Sequence, residues 1–157
     1  MLVNLTTGKT REFKQFNNGF YGAGYVNGLA VDSNTGIACI PTNLNSQVAF
    51  YKLSNGTGVW AQLPNTDSGD ELNSGYVVAN DPQHRLFLVT QPYTSTGGSG
   101  SSIDVYDETG NLIETINGFN SENANYPPNV LKIVVNPSLR IGWVNGPNGN
   151  QLQQFFY

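Results

Sequence analysis

The chain has 157 residues, enough for one ordinary domain, and its 38% hydrophobic and 11% aromatic content can build a core. Only 11% of residues are charged; the net charge of −4 and acidic pI near 4.7 exclude a nucleic-acid partner, which requires clustered Lys and Arg. No apolar run approaches the ~18 residues of a membrane-spanning helix, so no membrane partner is expected.

Residues 2–16, LVNLTTGKTREFKQF, read as a β-hairpin: Val3 and Leu5, a Thr-Thr-Gly-Lys turn, then Phe13 and Phe16. The same design returns in Val48–Leu63 and Ile103–Ile116, and Leu152–Tyr157 (LQQFFY) matches its first strand. Gly8, Gly56 and Gly110 fall at matching turn positions, where a positive φ is cheap only for Gly. A second kind of hairpin alternates with the first. Leu29–Val31 and Ile37–Ile40 flank a turn at Asp32–Gly36, Tyr76–Ala79 and Leu86–Val89 flank Asn80–Arg85, and Ile133–Val135 and Ile141–Val144 flank Asn136–Arg140. Asp, Asn, Pro and Gly are the residues such short connections demand, so Asp32, Asp81 and Asn136 are expected to cap their turns. His84 is expected to be a surface-turn residue, and Thr94–Ser102 a b–c loop.

No stretch sustains a 3.6-residue apolar period, so the fold class is all-β. With a, b, c and d as the strands of a unit, the chain reads cd-abcd-abcd-abc, repeating about every fifty residues. Such units are the blades of a β-propeller, here a partial one of about three four-stranded antiparallel blades. A β-sandwich would explain the strands but not the recurrence. The blade pieces are expected at about 2–16, 26–65, 73–118 and 129–157 of a single domain. The first strand of each blade is expected to be buried on both faces, because LAV, YVVA and KIVV are unbroken apolar runs.

About three blades are too few to close a ring, and both terminal sheets carry edges. The expected partner is therefore a second copy of the chain or a missing remainder of the propeller. Candidate interface residues are Leu2, Val3 and Leu5 at one end and Leu152, Phe155, Phe156 and Tyr157 at the other. Asn27, Asn73 and Asn129 occupy matching loops ahead of strand a, where propeller loops converge on one mouth of the channel. Their amide oxygens suit Ca²⁺ or another divalent cation, although Asn also favours such loops for backbone reasons alone.

Other groups point elsewhere. The lone cysteine, Cys39, lies in an apolar run and reads as a small core residue. Asp67, Asp70 and Glu71 form a short acidic cluster that reads as solvated loop, and Tyr21, Tyr25, Tyr93 and Tyr126 could stack on a sugar or peptide. Met1–Lys14 lacks the apolar centre of a signal peptide, so a targeting segment is expected to be absent or removed. Two glycosylation sequons, at Asn4 and Asn55, and a low-Lys, Asn-rich surface favour an extracellular location.

The segment YVNGLAVD at Tyr25–Asp32 resembles the NGLA-D segment of SMP-30/gluconolactonase/paraoxonase-like propellers. Pro127-Pro128-Asn129, with Ile133–Asn136 and Gly142–Val144, is similar to that family's later PDG…D…LWVA segment. Asp104–Asp107 with Thr109–Asn111 resembles the outer hairpins of NHL and related propellers. The resemblance implies a divalent metal in the channel that assists hydrolysis of lactones or phosphoesters, with Asn27 as one ligand. Asn129 stands where the family has an Asp, and the family's N-terminal glutamate has no counterpart. Two functional readings follow: an extracellular binding or assembly module, and a metal-dependent lactonase-like hydrolase.

Overall fold

The computed structural model describes residues 2–3, 6–11, 28–41, 47–64, 77–91, 100–120, 132–145 and 152–157, of which residues 2, 3, 11, 62, 100, 101 and 120 only in their backbone. Among them all regular structure is strand, as the short, Gly- and Asx-punctuated apolar runs require. β1 (Leu2–Val3) and β2 (Thr10–Arg11) form a hairpin. β3 (Ala30–Asp32), β4 (Ile37–Pro41), β5 (Gln47–Lys52) and β6 (Thr57–Gln62) form blade 1. β7 (Val78–Asp81), β8 (Leu86–Gln91), β9 (Gly100–Asp107) and β10 (Leu112–Asn120) form blade 2. β11 (Ile133–Asn136), β12 (Ile141–Asn145) and β13 (Leu152–Phe156) form blade 3. Every sheet is an antiparallel meander, and β7 touches both β3 and β11, so the first strands lie innermost. The fold is a partial β-propeller in the order cd-abcd-abcd-abc.

The turns follow the residue chemistry. Gly8, Gly56 and Gly110 take φ of 66°, 75° and 85°, as their position demands. In the a–b turns, register aligns Gly36 with Arg85 and Arg140, and all three are left-handed, at φ 70°, 60° and 51°. An arginine is costly there, and each is held by its side chain. Arg85 Nε donates to Glu108 at 2.7 Å, and the Arg140 guanidinium lies 5.5 Å over the Tyr157 ring.

Two cores lie between the blades. Cys39, Val48, Phe50 and Leu63 of blade 1 and its flank meet Val78, Phe87, Val89 and Tyr106 of blade 2. On the other face, Leu86, Leu88, Ile103 and Phe119 meet Ile133, Val144 and Phe155 of blade 3. Phe119 and Phe155 meet edge-on at 5.7 Å and 90°. Cys39 is a core residue, as its alternation implies, and burial pushes its thiol pKa up.

The expectation of doubly buried first strands needs correction. β7 approaches it, but Leu29 is 62% exposed just ahead of β3 and Val134 in β11 is 55% exposed. Only blade 2 has a described blade on each side, and its second strand, β8, is buried throughout. The Thr94–Ser102 loop is also shorter than expected, because β9 starts at Gly100.

Gly142 and Phe155 are cross-strand partners, and a Cβ on Gly142 would stand 2.1 Å from Phe155 Cζ. The ring lies over the glycine and then fills the space between blades 2 and 3. Gly142→Ala should therefore destabilise the protein by about 1–3 kcal/mol in urea unfolding, through displacement of a buried ring.

Candidate functional site

The amide cluster expected at the channel mouth, Asn27, Asn73 and Asn129, lies outside the described residues. So do Leu5, the acidic cluster at Asp67, Asp70 and Glu71, and Tyr21, Tyr25, Tyr93 and Tyr126. Leu2 and Val3 are described in β1 by their backbone alone. Among the described residues no three of His, Cys, Asp and Glu come together as metal ligands. The described chemistry lies on the a–b and c–d turns and on the faces of the blades.

On the turn side, Asp32 and Asp81 cap their turns as expected. Asp32 Oδ1 accepts from Asn34 N at 2.8 Å, and Asp81 Oδ1 accepts from the backbone N–H groups of Gln83 and His84, each at 3.0 Å. Asn136 sits in the equivalent turn, which Leu139 N closes on the Asn136 carbonyl at 3.2 Å. His84 is exposed, as a turn residue should be, but its Nδ1 also meets Asp81 Oδ2 at 2.8 Å. The same oxygen accepts from the Tyr157 hydroxyl at 3.0 Å. Burial pushes the Asp81 carboxyl up, and the bonds from His84 and Tyr157 outweigh it, holding the group below its ordinary range. Burial and the neighbouring Asp81 both raise the Tyr157 phenol.

Register makes Tyr157 the counterpart of Glu108, each just past strand c. Glu108 also reaches back one blade, accepting from Thr35 Oγ1 in the a–b turn of blade 1. Blades 2 and 3 are thus each fastened to the a–b turn of the blade before. Sequence reading found both turns but not these inter-blade bonds; the matching positions of Glu108 and Tyr157 in the repeat were the available signal.

The outer faces of blades 1 and 3 carry the other feature. On blade 3, Val134, Trp143 and Leu152 are the register counterparts of Ala79, Leu88 and Ile103, which blade 3 buries on blade 2. Here Leu152 is 71% exposed, Phe156 at the other end of β13 is 68% exposed, and Trp143 is half-buried. On blade 1, Leu29 and Val31 are exposed on the opposite outer face. Of the expected terminal interface, Leu152 and Phe156 are on the surface. Phe155 and Tyr157 are not, because strand alternation turns both toward blade 2.

No protein-family model and no curated protein matches the chain. Among solved structures, a chain from the crystal structure of a nidogen/laminin complex is similar, with a TM-score of 0.54 and 14% identity. The match covers 84% of this chain and 48% of that one, so the chain spans about half the length of the structure it resembles. At that identity the likeness concerns the fold, a β-propeller.

Tyr157→Phe removes a bond to a buried carboxylate and should cost about 1.5–3 kcal/mol at pH 7. The folded Asp81 pKa lies below the unfolded value of about 3.9, so its stabilisation is present above that pH and lost as pH falls through the folded value. Urea midpoints of wild type and Tyr157→Phe should therefore converge as pH falls through the folded Asp81 value.

Proposed function

We propose that this chain is an extracellular binding and assembly module whose partner is a second copy of itself. The observation that carries the reading is the apolar outer face of blade 3, where Val134 and Leu152 are exposed at positions whose counterparts in blade 2 are buried. The face around Leu29 and Val31 on blade 1 is its natural complement, because blade-on-blade packing already joins the corresponding sides of neighbouring sheets. A contact between these two different faces is heterologous; it closes into a ring if the rotation suits and otherwise continues as a filament. The similar solved chain belongs to a nidogen/laminin complex, which supports a protein partner, and the two sequons support the extracellular setting. The NGLAVD segment supports an origin among SMP-30/NHL-like propellers. The hydrolase reading rests on Asn27, Asn73 and Asn129, and no described contact adds to it.

Sedimentation velocity tests the assembly. The wild type should sediment as a dimer or larger species at micromolar concentration, and Val134→Asp/Leu152→Asp as a folded monomer with unchanged circular dichroism. A wild type that stays monomeric at all concentrations, or a variant that associates as the wild type does, contradicts the proposal.

A further inference from the structure

The c–d turn of blade 1 holds a modification motif in a defined shape. Asn55-Gly56-Thr57 has the spacing of an N-glycosylation acceptor, and it links β5 to β6, the outer pair of strands in the blade. Gly56 takes φ 75°, its N–H donates to the Lys52 carbonyl at 2.9 Å, and its own carbonyl accepts from the Tyr51 hydroxyl. Tyr51 is buried, and its ring covers Gly58, where a Cβ would stand 2.7 Å from Tyr51 Cδ2. The turn is therefore braced from within the blade, while Asn55 and Thr57 are exposed. Asn55 Oδ1 accepts from the Thr57 N–H at 3.1 Å and from the Thr57 hydroxyl at 2.9 Å.

Capping the turn needs the Thr57 N–H alone, which any residue but proline supplies. The hydroxyl comes from Thr or Ser, the two residues the acceptor motif requires at that place. Its bond to Oδ1 draws electron density from the amide and eases loss of a proton from Nδ2, on the opposite side of the Asn55 amide. The Asn136-Pro137-Ser138 turn differs: its proline bars the motif, and Ser138 Oγ donates to Gln83 Oε1 at 3.4 Å. We propose that Asn55 is an N-glycosylation site, a reading that rests on the chain's extracellular setting. The donor is an oligosaccharide carried on a lipid diphosphate and brought by a transferase of the secretory pathway. Asn55 Nδ2 bonds the anomeric carbon, and the bond from that carbon to the diphosphate oxygen breaks. The lipid diphosphate leaves, and the Nδ2 proton passes to a base of the transferase. The glycan adds a bulky, solubilising group to an exposed turn of a chain in which only 11% of residues are charged.

The test is expression of the whole chain behind a cleavable secretion signal in eukaryotic cells, then tryptic mass spectrometry with and without PNGase F, which releases an N-glycan and leaves aspartate in its place. Trypsin puts Asn55 in the peptide Leu53–Arg85 and Asn4 in the peptide ending at Lys9, so the two sequons are read separately. The Leu53–Arg85 peptide should carry a glycan in the wild type and in Thr57→Ser, and none in Asn55→Gln or Thr57→Ala. An unmodified Asn55 in the secreted wild type, or a glycan that persists in Thr57→Ala, overturns the site. Should a variant fail to be secreted, the wild-type peptide decides. The added signal carries the chain into the secretory pathway whatever its native location. An unmodified Asn55 therefore counts against this site alone, whereas retention of the chain inside its own cells counts against the extracellular reading.

Discussion

A propeller blade is a small sheet with two apolar faces, and burying both requires a neighbour on each side. That requirement organises the molecule. Blade 2 meets it, with Phe87, Val89 and Tyr106 against blade 1 and Leu86, Leu88 and Ile103 against blade 3. At about 25 cal/mol per Å² of apolar surface, these two interfaces are the main source of stability, since each blade alone has little interior. Blade 3 buries one face and leaves Val134 and Leu152 on the other, whereas blade 1 exposes Leu29 and Val31 on an outer face where Ala38, Ala49 and Tyr51 are buried. Exposed apolar side chains at positions that a neighbouring blade normally covers mark an interaction surface.

Polar groups set how neighbouring blades register. The residue just past strand c reaches back to the preceding a–b turn, as Glu108 does to Thr35 and Tyr157 to Asp81. These are directional bonds at the rim of an otherwise non-directional packing, and they select one offset between sheets. The two arginines in left-handed turn positions belong to the same arrangement, since their side chains engage Glu108 and Tyr157. Asp104 differs in kind. It lies within the blade 1–blade 2 interface, where exclusion of solvent raises its carboxyl to about 7.

The fold was largely legible from the residues. Gly8, Gly56 and Gly110 marked the outer turns because a positive φ leaves few alternatives to glycine, and Asp32 and Asp81 marked the inner turns because their side chains bond the next amides. Burial was read less well. LAV and KIVV are apolar enough to be covered twice, yet Val31 and Val134 are exposed, because burial depends on whether a neighbouring blade is present. Period-two alternation turns Phe155 and Tyr157 toward blade 2 and Phe156 outward, so the run LQQFFY does not present one continuous apolar edge. The site was the least legible part. The Asn positions ahead of strand a lie outside the described residues, while the burial of Gln91, Ser102, Asp104 and Tyr106 between blades depends on the pairing of β8 with β9.

Hydrogen–deuterium exchange followed at two protein concentrations tests the central claim, that the outer blade faces are covered by a second copy. Amides of β8 should be strongly protected at both concentrations, because blade 2 is covered on both sides within one chain. Amides of β3, β12 and β13 should gain protection as concentration rises. Exchange in those strands that is independent of concentration would contradict the account.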